Sequence, residues 1–283
     1  MCIRDSNGAI QASTAVWRQG MDEWLAASTT ELAKHFDETG GPTPETVQAT
    51  MAHDAKIKAK HAPPGKTKSV KGFHQWLQAS LILFIIATAL LTLTEFNTLS
   101  FFSDINNDNF VNETAIEQKA ILVDLLTGVA ALFYLVTFVS CVFAYCFFFQ
   151  RAQTNLLSMR VPTATVRPYE TWVWYFVPFA NLFKPIGPFN EVQTASHESA
   201  GKSALGSGIV TVWWLTWLLG NIISNISARM PQDDIPSMSR SLYVAIIASA
   251  CIIISAFLLL RMVKSIGTAH EIARLQSSNL VPD

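Results

Sequence analysis

Long apolar runs without a polar stripe dominate the second part of the chain. Four of these runs, at about 18 to 25 residues each, are long enough to cross roughly 30 Å of hydrocarbon as helices. No polar position recurs in them at the helical period, which separates them from the surface helices of soluble proteins. The runs cover residues 76–94, 125–149, 209–226 and 242–260. The pattern predicts an all-α membrane protein with four transmembrane helices.

Between the second and third runs, the segment 172–188 is rich in aromatic residues yet contains Pro178, Pro185, Pro188 and Lys184. Proline removes a backbone donor and clashes with the preceding helical turn. A freed carbonyl cannot remain unpaired in hydrocarbon. The sequence therefore predicts a proline-broken segment that is interfacial or re-entrant and packs against protein.

Composition and charge place the chain in a membrane and set its orientation. Half of the 283 residues are hydrophobic and 14% are charged, against roughly 25% charged in soluble domains. The net charge of −1 argues against nucleic acid as a partner, since phosphate binding needs a basic surface. Lysine and arginine are concentrated before the first run, between the second and third, and after the fourth. The positive-inside rule then predicts that both termini are cytoplasmic.

Two tryptophans near the start suggest a small module ahead of the membrane domain. Trp17 and Trp24 flank a Gly-Met pair and precede a short helix signal. This W-x-x-G-M-x-x-W pattern resembles the second half of the bacterial GYF-like domain. The resemblance implies a partial α+β module over 1–39 that binds a proline-rich protein partner through Trp17 and Trp24. The alternative is that both tryptophans are core residues.

The remaining boundaries follow from composition. Residues 1–6 have no readable role and look like the artefactual start of a gene fragment, so the module is expected to be incomplete. A Gly, Pro and Lys-rich stretch predicts a flexible linker over 40–72. The membrane domain is expected over 73–274, followed by a tail over 275–283.

Three motifs in the second half occur together. Residues 151–156 read R-A-x-x-N-L, the segment from Trp172 to Pro185 reads W-x-x-x-F-x-P-x-x-N-L-x-x-P, and residues 213–222 are rich in tryptophan and end in Ile222 after an asparagine. The combination resembles a bacterial four-helix membrane family catalogued as domain of unknown function 4328. The resemblance covers about 73–274 and implies a multi-pass protein of the bacterial inner membrane, with no established activity.

The chain departs from that pattern in two places. Residues 159–162 stand where a glycine and alanine-rich turn is expected, and His270 stands where the tail more often has glutamine. These departures leave any role of the tail open.

Charged and amide side chains near the motifs are the first candidates for a site. Arg151 lies at the inner end of the second run, where it can reach lipid phosphate or pair with Glu170 or Glu191. Asn155 and Asn181 are short amides suited to capping helix ends broken by proline.

The aromatic rings of the segment, with its lysine, complete the candidate site. Trp172 and Trp174 are rings of the kind that settle at headgroup level. One interpretation is a structural scaffold; the sharper one is a pocket at 178–188 whose Arg151, Asn181 and Lys184 bind an anionic group. The candidate contact residues are Arg151, Asn155, Trp172, Trp174, Pro178, Asn181, Lys184 and Pro185.

No residue spacing indicates a catalytic or metal centre. The histidines and cysteines show no ligand spacing, so no metal, cofactor or enzymatic activity is expected. Charged residues are nearly absent from the runs, and Asn221 and Asn225 are expected to form interhelical hydrogen bonds. The favoured function is a non-catalytic, membrane-anchored interaction or assembly scaffold. The alternatives are a passive channel or small-solute carrier gated by 172–188, and a lipid-modifying membrane enzyme.

Overall fold

The structure, a computed structural model, describes residues 2–4, 15–17, 25–36, 67–107 and 109–278. The chain divides into two compact units, 1–61 and 62–283.

The N-terminal unit contains a small antiparallel sheet. Its strands are β1 (Cys2–Arg4), β2 (Ala15–Trp17) and β3 (Leu25–Ala26), in the order β1-β2-β3. Val16 lies opposite both Ile3 and Leu25 in the ladders and is fully buried. Residues 2–4, for which the sequence indicated no role, pair with β2. The Trp17 side chain and all of Trp24 lie outside the described residues.

Helices make up nearly all of the second unit. In order they are α1 (Lys71–Asn106), α2 (Glu113–Ser158), α3 (Glu170–Val173), α4 (Ile186–Ser199), α5 (Ser207–Ser227) and α6 (Ile235–Ser278). Four of them, α1, α2, α5 and α6, are long and apolar enough to cross a membrane. The prediction of four spanning helices is confirmed.

Three of these helices are much longer than the apolar runs that predicted them. At 46 residues, α2 extends about 69 Å, more than twice the hydrocarbon thickness. α1 begins at Lys71, inside the predicted linker, and α6 continues to Ser278, into the predicted tail. Hydropathy marks only the lipid-facing stretch, so it cannot locate ends that project into water.

Local polar groups mark the helix ends. The Asn112 side chain accepts a hydrogen bond from the backbone N–H of Ala115 and caps α2, as short amides commonly do. Before α6, the Asp234 carboxylate accepts from the Ser237 N–H while the Ser237 hydroxyl lies 3.2 Å from the Asp234 nitrogen. The hydrogen bonds from Ser237 hold the pKa of Asp234 below its ordinary value.

The spanning helices pack in the order α2, α1, α6, α5, with the main interfaces between neighbours in that order. Among the described residues, α2 and α5 form no comparable interface with each other. The largest buried cluster lies at one end of the bundle, where residues 159–206 connect α2 to α5. It includes Phe148, Phe149, Leu156, Phe189, Trp213, Trp214, Met262 and Ile266. Residues 159–206 are called the connector below, and that end of the bundle the connector end.

The α5 and α6 helices approach most closely at Gly220. A Cβ added there would lie 2.9 Å from Ile252 and 3.3 Å from the Ala248 carbonyl oxygen, so only glycine permits this packing. The expectation of interhelical bonds from Asn221 and Asn225 is wrong, because their amides donate to the carbonyls of Trp217 and Asn221 in their own helix. At Gly220 the contact is made by backbone and apolar atoms, and the hydrogen bonds between α5 and α6 come from serines: Ser227 bonds with Ser241, and the Ser255 hydroxyl donates to the Trp213 carbonyl.

Candidate functional site

The connector folds into short helices instead of a loop. α3 runs into a 3-10 turn at Trp174–Phe176, a second 3-10 turn covers Ala180–Leu182, and α4 follows. The Pro178 carbonyl accepts from the Ala180 N–H, and the Pro185 carbonyl from the Phe189 N–H in the first turn of α4. Pro185 is buried and Pro178 is exposed. The start of α4 is a favourable position for proline, because the φ of proline is already close to the helical value and the missing N–H would have had no partner in the first turn.

Aromatic side chains fasten the connector to the spanning helices. The Trp214 indole of α5 donates to the Leu182 carbonyl over 2.9 Å, and the Trp172 indole donates to the Gln150 side chain of α2 over 2.9 Å. The hydroxyl oxygens of Tyr145 and Tyr175 are 2.7 Å apart. The Leu182 carbonyl, which lies in a 3-10 turn, thus finds its partner in a spanning helix, as burial near lipid demands.

The outer face of the connector exposes large apolar side chains. Phe176 is 61% exposed, Phe179 83% and Phe183 77%, and Val177 and Leu182 lie among them along the chain. Phe179 has φ = 60°, a left-handed conformation that few non-glycine residues adopt. We call the residues from Phe176 to Phe183 the aromatic surface. An exposed apolar patch of this kind marks contact with a membrane or a protein.

Asn155 is the centre of a buried polar cluster at the connector end. Its side-chain oxygen accepts from the Lys68 backbone N–H over 3.1 Å, and its amide donates to the Lys68 carbonyl over 2.7 Å. The same amide nitrogen lies 3.1 Å from Nε2 of His270, whose Nδ1 lies 3.2 Å from the Ser196 hydroxyl. Because an amide N–H can only donate, Nε2 of His270 accepts and Nδ1 carries the proton.

This cluster joins four parts of the second unit. They are Lys68, which lies three residues before α1, and the helices α2, α4 and α6. It overturns the expectation that Asn155 caps a proline-broken helix. It also fixes Lys68, which the linker prediction treated as flexible; residues 40–66 of that linker lie outside the described residues. His270 lies ten residues beyond the apolar run of α6 and outside the spanning segment. Burial, the largest cause, lowers the pKa of His270 to about 4, so its ring is neutral near pH 7.

Glu191 organises the chain that enters the connector. Its carboxylate accepts from the Thr165 and Val166 backbone N–H groups over 2.6 and 2.8 Å, from the Thr165 hydroxyl over 2.8 Å, and from the Gln153 amide over 2.8 Å. Hydrogen bonds to a charged acceptor are stronger than those between neutral groups. The carboxylate thus fixes 165–166 against α2 and α4.

The predicted ion pair of Arg151 does not form among the described residues. Glu191 is occupied as described, and Glu170 accepts from the Arg167 backbone N–H. The Arg151 guanidinium instead lies 5.4 Å from the centre of the Phe73 ring, a cation–π distance. Both predicted carboxylates serve to hold backbone amides, which charge patterning along the sequence does not show.

Lys184 and Asn181, two further predicted site residues, lie in the connector. The Lys184 ammonium lies 5.7 Å from the Trp174 ring centre. Asn181 is half-buried, and its backbone N–H donates to the Val177 carbonyl. Arg151 and Lys184 each contact a different ring. The shared anionic site that the sequence suggested for these two side chains stays a prediction.

The cavity of the second unit lies in the gap between α2 and α5 and is about 270 Å³ in volume. Trp172, Tyr175 and Phe176 of the connector lie over it, whereas no residue of 178–188, where the sequence predicted a pocket, is part of its lining. Its lining is apolar apart from the tyrosine hydroxyls, the Ser255 hydroxyl and the tryptophan N–H groups, and Arg151, Asn181 and Lys184 are not part of it.

Sequence reasoning missed His270, Ser196 and Tyr145. A helical signal for His270 exists, because Ile266, Ala269 and Ala273 recur beside it at spacings of three and four and are all buried. A polar residue inside such a stripe indicates a buried hydrogen-bonding role. Ser196 and Tyr145 carry no comparable signal, since their partners lie 74 and 30 residues away.

Three comparisons with known proteins bear on this second unit. A family model described as "Domain of unknown function (DUF4328)" matches residues 112–268, which is more than half of the chain. The match covers α2 to most of α6, including the connector. No curated protein and no solved structure matches.

Proposed function

This chain belongs to the family catalogued as domain of unknown function 4328, and we propose that it is a non-catalytic scaffold of the bacterial cytoplasmic membrane. In this proposal both termini are cytoplasmic, so that the connector end faces the cytoplasm. The membrane domain supplies a fixed platform, and the N-terminal unit recruits a proline-rich protein partner.

The braced connector end is the observation that carries the proposal. The buried side chains of Asn155, His270 and Ser196 bond to one another and to backbone, and His197 of α4 bonds to Ser265 of α6 over 2.8 Å. Each buried, satisfied hydrogen bond contributes on the order of 1 kcal/mol. Polar groups used in this way hold helices in one arrangement, which suits a platform better than a gate.

We infer that the aromatic surface is interfacial and not re-entrant. Phe179 and Phe183 point away from protein, and apolar rings of a segment lying on the membrane surface insert about 5–10 Å into the boundary between headgroups and acyl chains. A nitroxide attached through Phe179→Cys, in a chain whose own cysteines are replaced by serine, should report headgroup depth by its collisions with oxygen and a nickel complex. The matched control is Lys202→Cys, which is also exposed and in the connector. A depth at the bilayer centre would support a re-entrant segment instead.

We propose that Lys184 and Arg151 contact headgroup phosphate. Each is held by a cation–π contact, Lys184 with Trp174 and Arg151 with Phe73. The double substitution Arg151→Gln and Lys184→Gln should lower the amount of anionic lipid that co-purifies with the protein. Unchanged lipid would remove this contact from the proposal while leaving the platform intact.

Recruitment is tested with the whole chain in a bacterial membrane. A defined partner carrying a proline-rich segment should co-purify with the tagged protein and be lost when Trp17 and Trp24 are both replaced by alanine. Trp174→Ala, outside the module, is the matched control and should retain the partner. Retention by the double variant, or loss in the control alone, would contradict recruitment through the N-terminal unit.

A carrier is the second candidate, favoured by the gap between α2 and α5. Solute flux in proteoliposomes distinguishes it: the scaffold predicts no flux above that of empty vesicles. Flux that Pro178→Ala or Pro185→Ala abolishes would replace the scaffold with a carrier gated by the connector.

A further inference from the structure

The unpaired side of the bundle is open to lipid at the depth of the hydrocarbon core. α2 packs on α1 and α5 packs on α6, while α2 and α5 share no extensive interface among the described residues. The gap lies along stretches that are apolar enough to cross a membrane. The medium beside it is therefore hydrocarbon and not water.

Both walls of the gap present apolar side chains to the cavity. α2 contributes Phe138, Val142 and Cys146, and α5 contributes Trp213 and Trp217. At the back lie α1 and α6, whose lining residues include Phe84 and Ala256. Because most of the lining is apolar, it favours an apolar occupant over ordered water, which needs two to four polar partners.

The volume of the cavity limits the size of the molecule that can fit in it. At about 270 Å³ it exceeds the roughly 150 Å³ that holds benzene, and it falls just below the roughly 300–1,000 Å³ of sites for drug-sized molecules. It suits a stretch of one hydrocarbon chain and is too small for a whole lipid. A void left empty beside fluid lipid would forfeit dispersion contacts on every wall.

Two tyrosines supply the cavity's polar feature. The Tyr145 and Tyr175 hydroxyls bond to each other over 2.7 Å and both residues line the cavity. Two hydroxyls carry two protons, and their mutual bond uses one. The second proton is available to an ester carbonyl, the polar group that begins an acyl chain.

We propose that the gap between α2 and α5 is a binding site for one acyl chain of a bilayer glycerophospholipid, which enters sideways from the membrane. The site rests on the membrane location of the spans and not on the scaffold role. Its failure and the failure of the recruitment experiment are therefore separate results.

The test uses a phospholipid with a diazirine in its acyl chain, in vesicles of phosphatidylethanolamine and phosphatidylglycerol that contain the full chain. Photolysis should label cavity-facing positions on both walls, such as Val142 and Trp217. Ala256→Phe fills the cavity from α6 and should abolish that labelling. Ile254→Phe, which adds a ring on an exposed face of the same helix, should leave it unchanged.

A second pair of variants guards against misfolding of the first. Val142→Trp fills the cavity from α2, and Val139→Trp places the same ring on an exposed face of α2. Loss of cavity labelling in Val142→Trp but not in Val139→Trp supports the site, as loss of labelling in Ala256→Phe does. Labelling of Leu132, which is exposed on α2, should persist in all variants and confirms that each one is inserted.

Three results would overturn the proposal. The first is wild-type labelling restricted to exposed positions, which means that no chain enters. The second is cavity labelling that both filling variants retain, which means that it arises from surrounding bilayer. The third is a different occupant displaced by the filling variants, either a small apolar solute seen by native mass spectrometry or a second copy seen as a crosslinked dimer.

Discussion

In the polar cluster around Asn155, α2, α4 and α6 are joined by hydrogen-bonded side chains, whereas α2 and α5 stand apart around a largely apolar cavity. The same α2 helix contributes Asn155 to the first region and Val142 to the second. Directional bonds specify one arrangement, because a misplaced partner leaves a buried group unsatisfied. Apolar walls specify only volume, which lipid can fill. The comparison predicts that substitutions are costly in the polar cluster around Asn155 and tolerated around the cavity.

Asn155→Leu should produce the largest effect. Leucine is similar in size to asparagine but cannot form the two hydrogen bonds to the Lys68 backbone. The Lys68 N–H and C=O and the His270 ring would each lose a partner, at roughly 1–3 kcal/mol for each unsatisfied group. We expect a loss of about 3–5 kcal/mol, seen as a large fall in the melting midpoint of the protein in detergent.

Two variants sharpen the Asn155 experiment. Asn155→Asp keeps the shape but cannot donate to the Lys68 carbonyl, so it should also destabilise strongly. Thr154→Ala, at the exposed neighbouring position, should change stability by no more than about 0.5 kcal/mol. Normal stability of Asn155→Leu would break the contrast between the two regions.

Acid should weaken the connector end through His270. Burial, with a smaller contribution from Arg274, outweighs Glu271 and lowers the pKa of His270 from 6.5 to about 4. The unfolded chain therefore takes up the proton first as the pH falls. The stability that the neutral ring provides is complete above about pH 6.5 and declines toward pH 4, by at most about 1.4 kcal/mol per pH unit.

The measurement is the melting midpoint of wild type and His270→Gln between pH 8 and 4. The glutamine variant should show a shallower decline, and the difference between the two curves should open below about pH 6.5. Burial also lowers the pKa of His74, which leaves a residual slope in both proteins. Parallel curves would show that His270 is protonated or exposed in the folded chain.

Gly267 tests backbone packing at the same end. A Cβ there would overlap the His74 ring of α1, so Gly267→Ala should cost about 1–3 kcal/mol. The control, Gly128→Ala, lies in the α2 helix where no atom is within 4 Å of the added Cβ, and it should be neutral or stabilise by up to about 1 kcal/mol. Adding His74→Ala to Gly267→Ala should recover part of the loss, as a double-mutant cycle would measure.

The four spanning helices were predictable from sequence, whereas the polar cluster around Asn155 and the gap between α2 and α5 were not. The four apolar runs indicate spanning helices because lipid imposes length and hydropathy on every residue it touches. Asn155 was singled out by its motif, yet its partners lie 87 and 115 residues away. Short-range capping was the reasonable expectation for an isolated amide, and only the packing of α6 against α2 shows otherwise. The gap between α2 and α5 had no signal, because hydropathy does not report which helices are neighbours.

Arg160 provides the smallest and most local effect, and it has the opposite sign. It follows α2 with φ = 57°; the Val161 N–H donates to the Leu156 carbonyl and the Arg160 N–H to the Leu157 carbonyl. These two bonds define a Schellman motif, whose left-handed position favours glycine.

Arg160→Gly should therefore stabilise the protein by about 0.5–1 kcal/mol. Glycine relieves the left-handed strain, and part of that gain is offset because glycine has more conformational freedom in the unfolded chain. Met159→Gly, one residue earlier at φ = −76°, lacks that relief and should destabilise by about 1 kcal/mol. The measurement is the change in melting midpoint of each variant relative to wild type. Changes of opposite sign would show that backbone conformation, as well as side-chain hydrogen bonds, sets the end of α2. Changes of the same sign would show that the Schellman motif does not contribute to it.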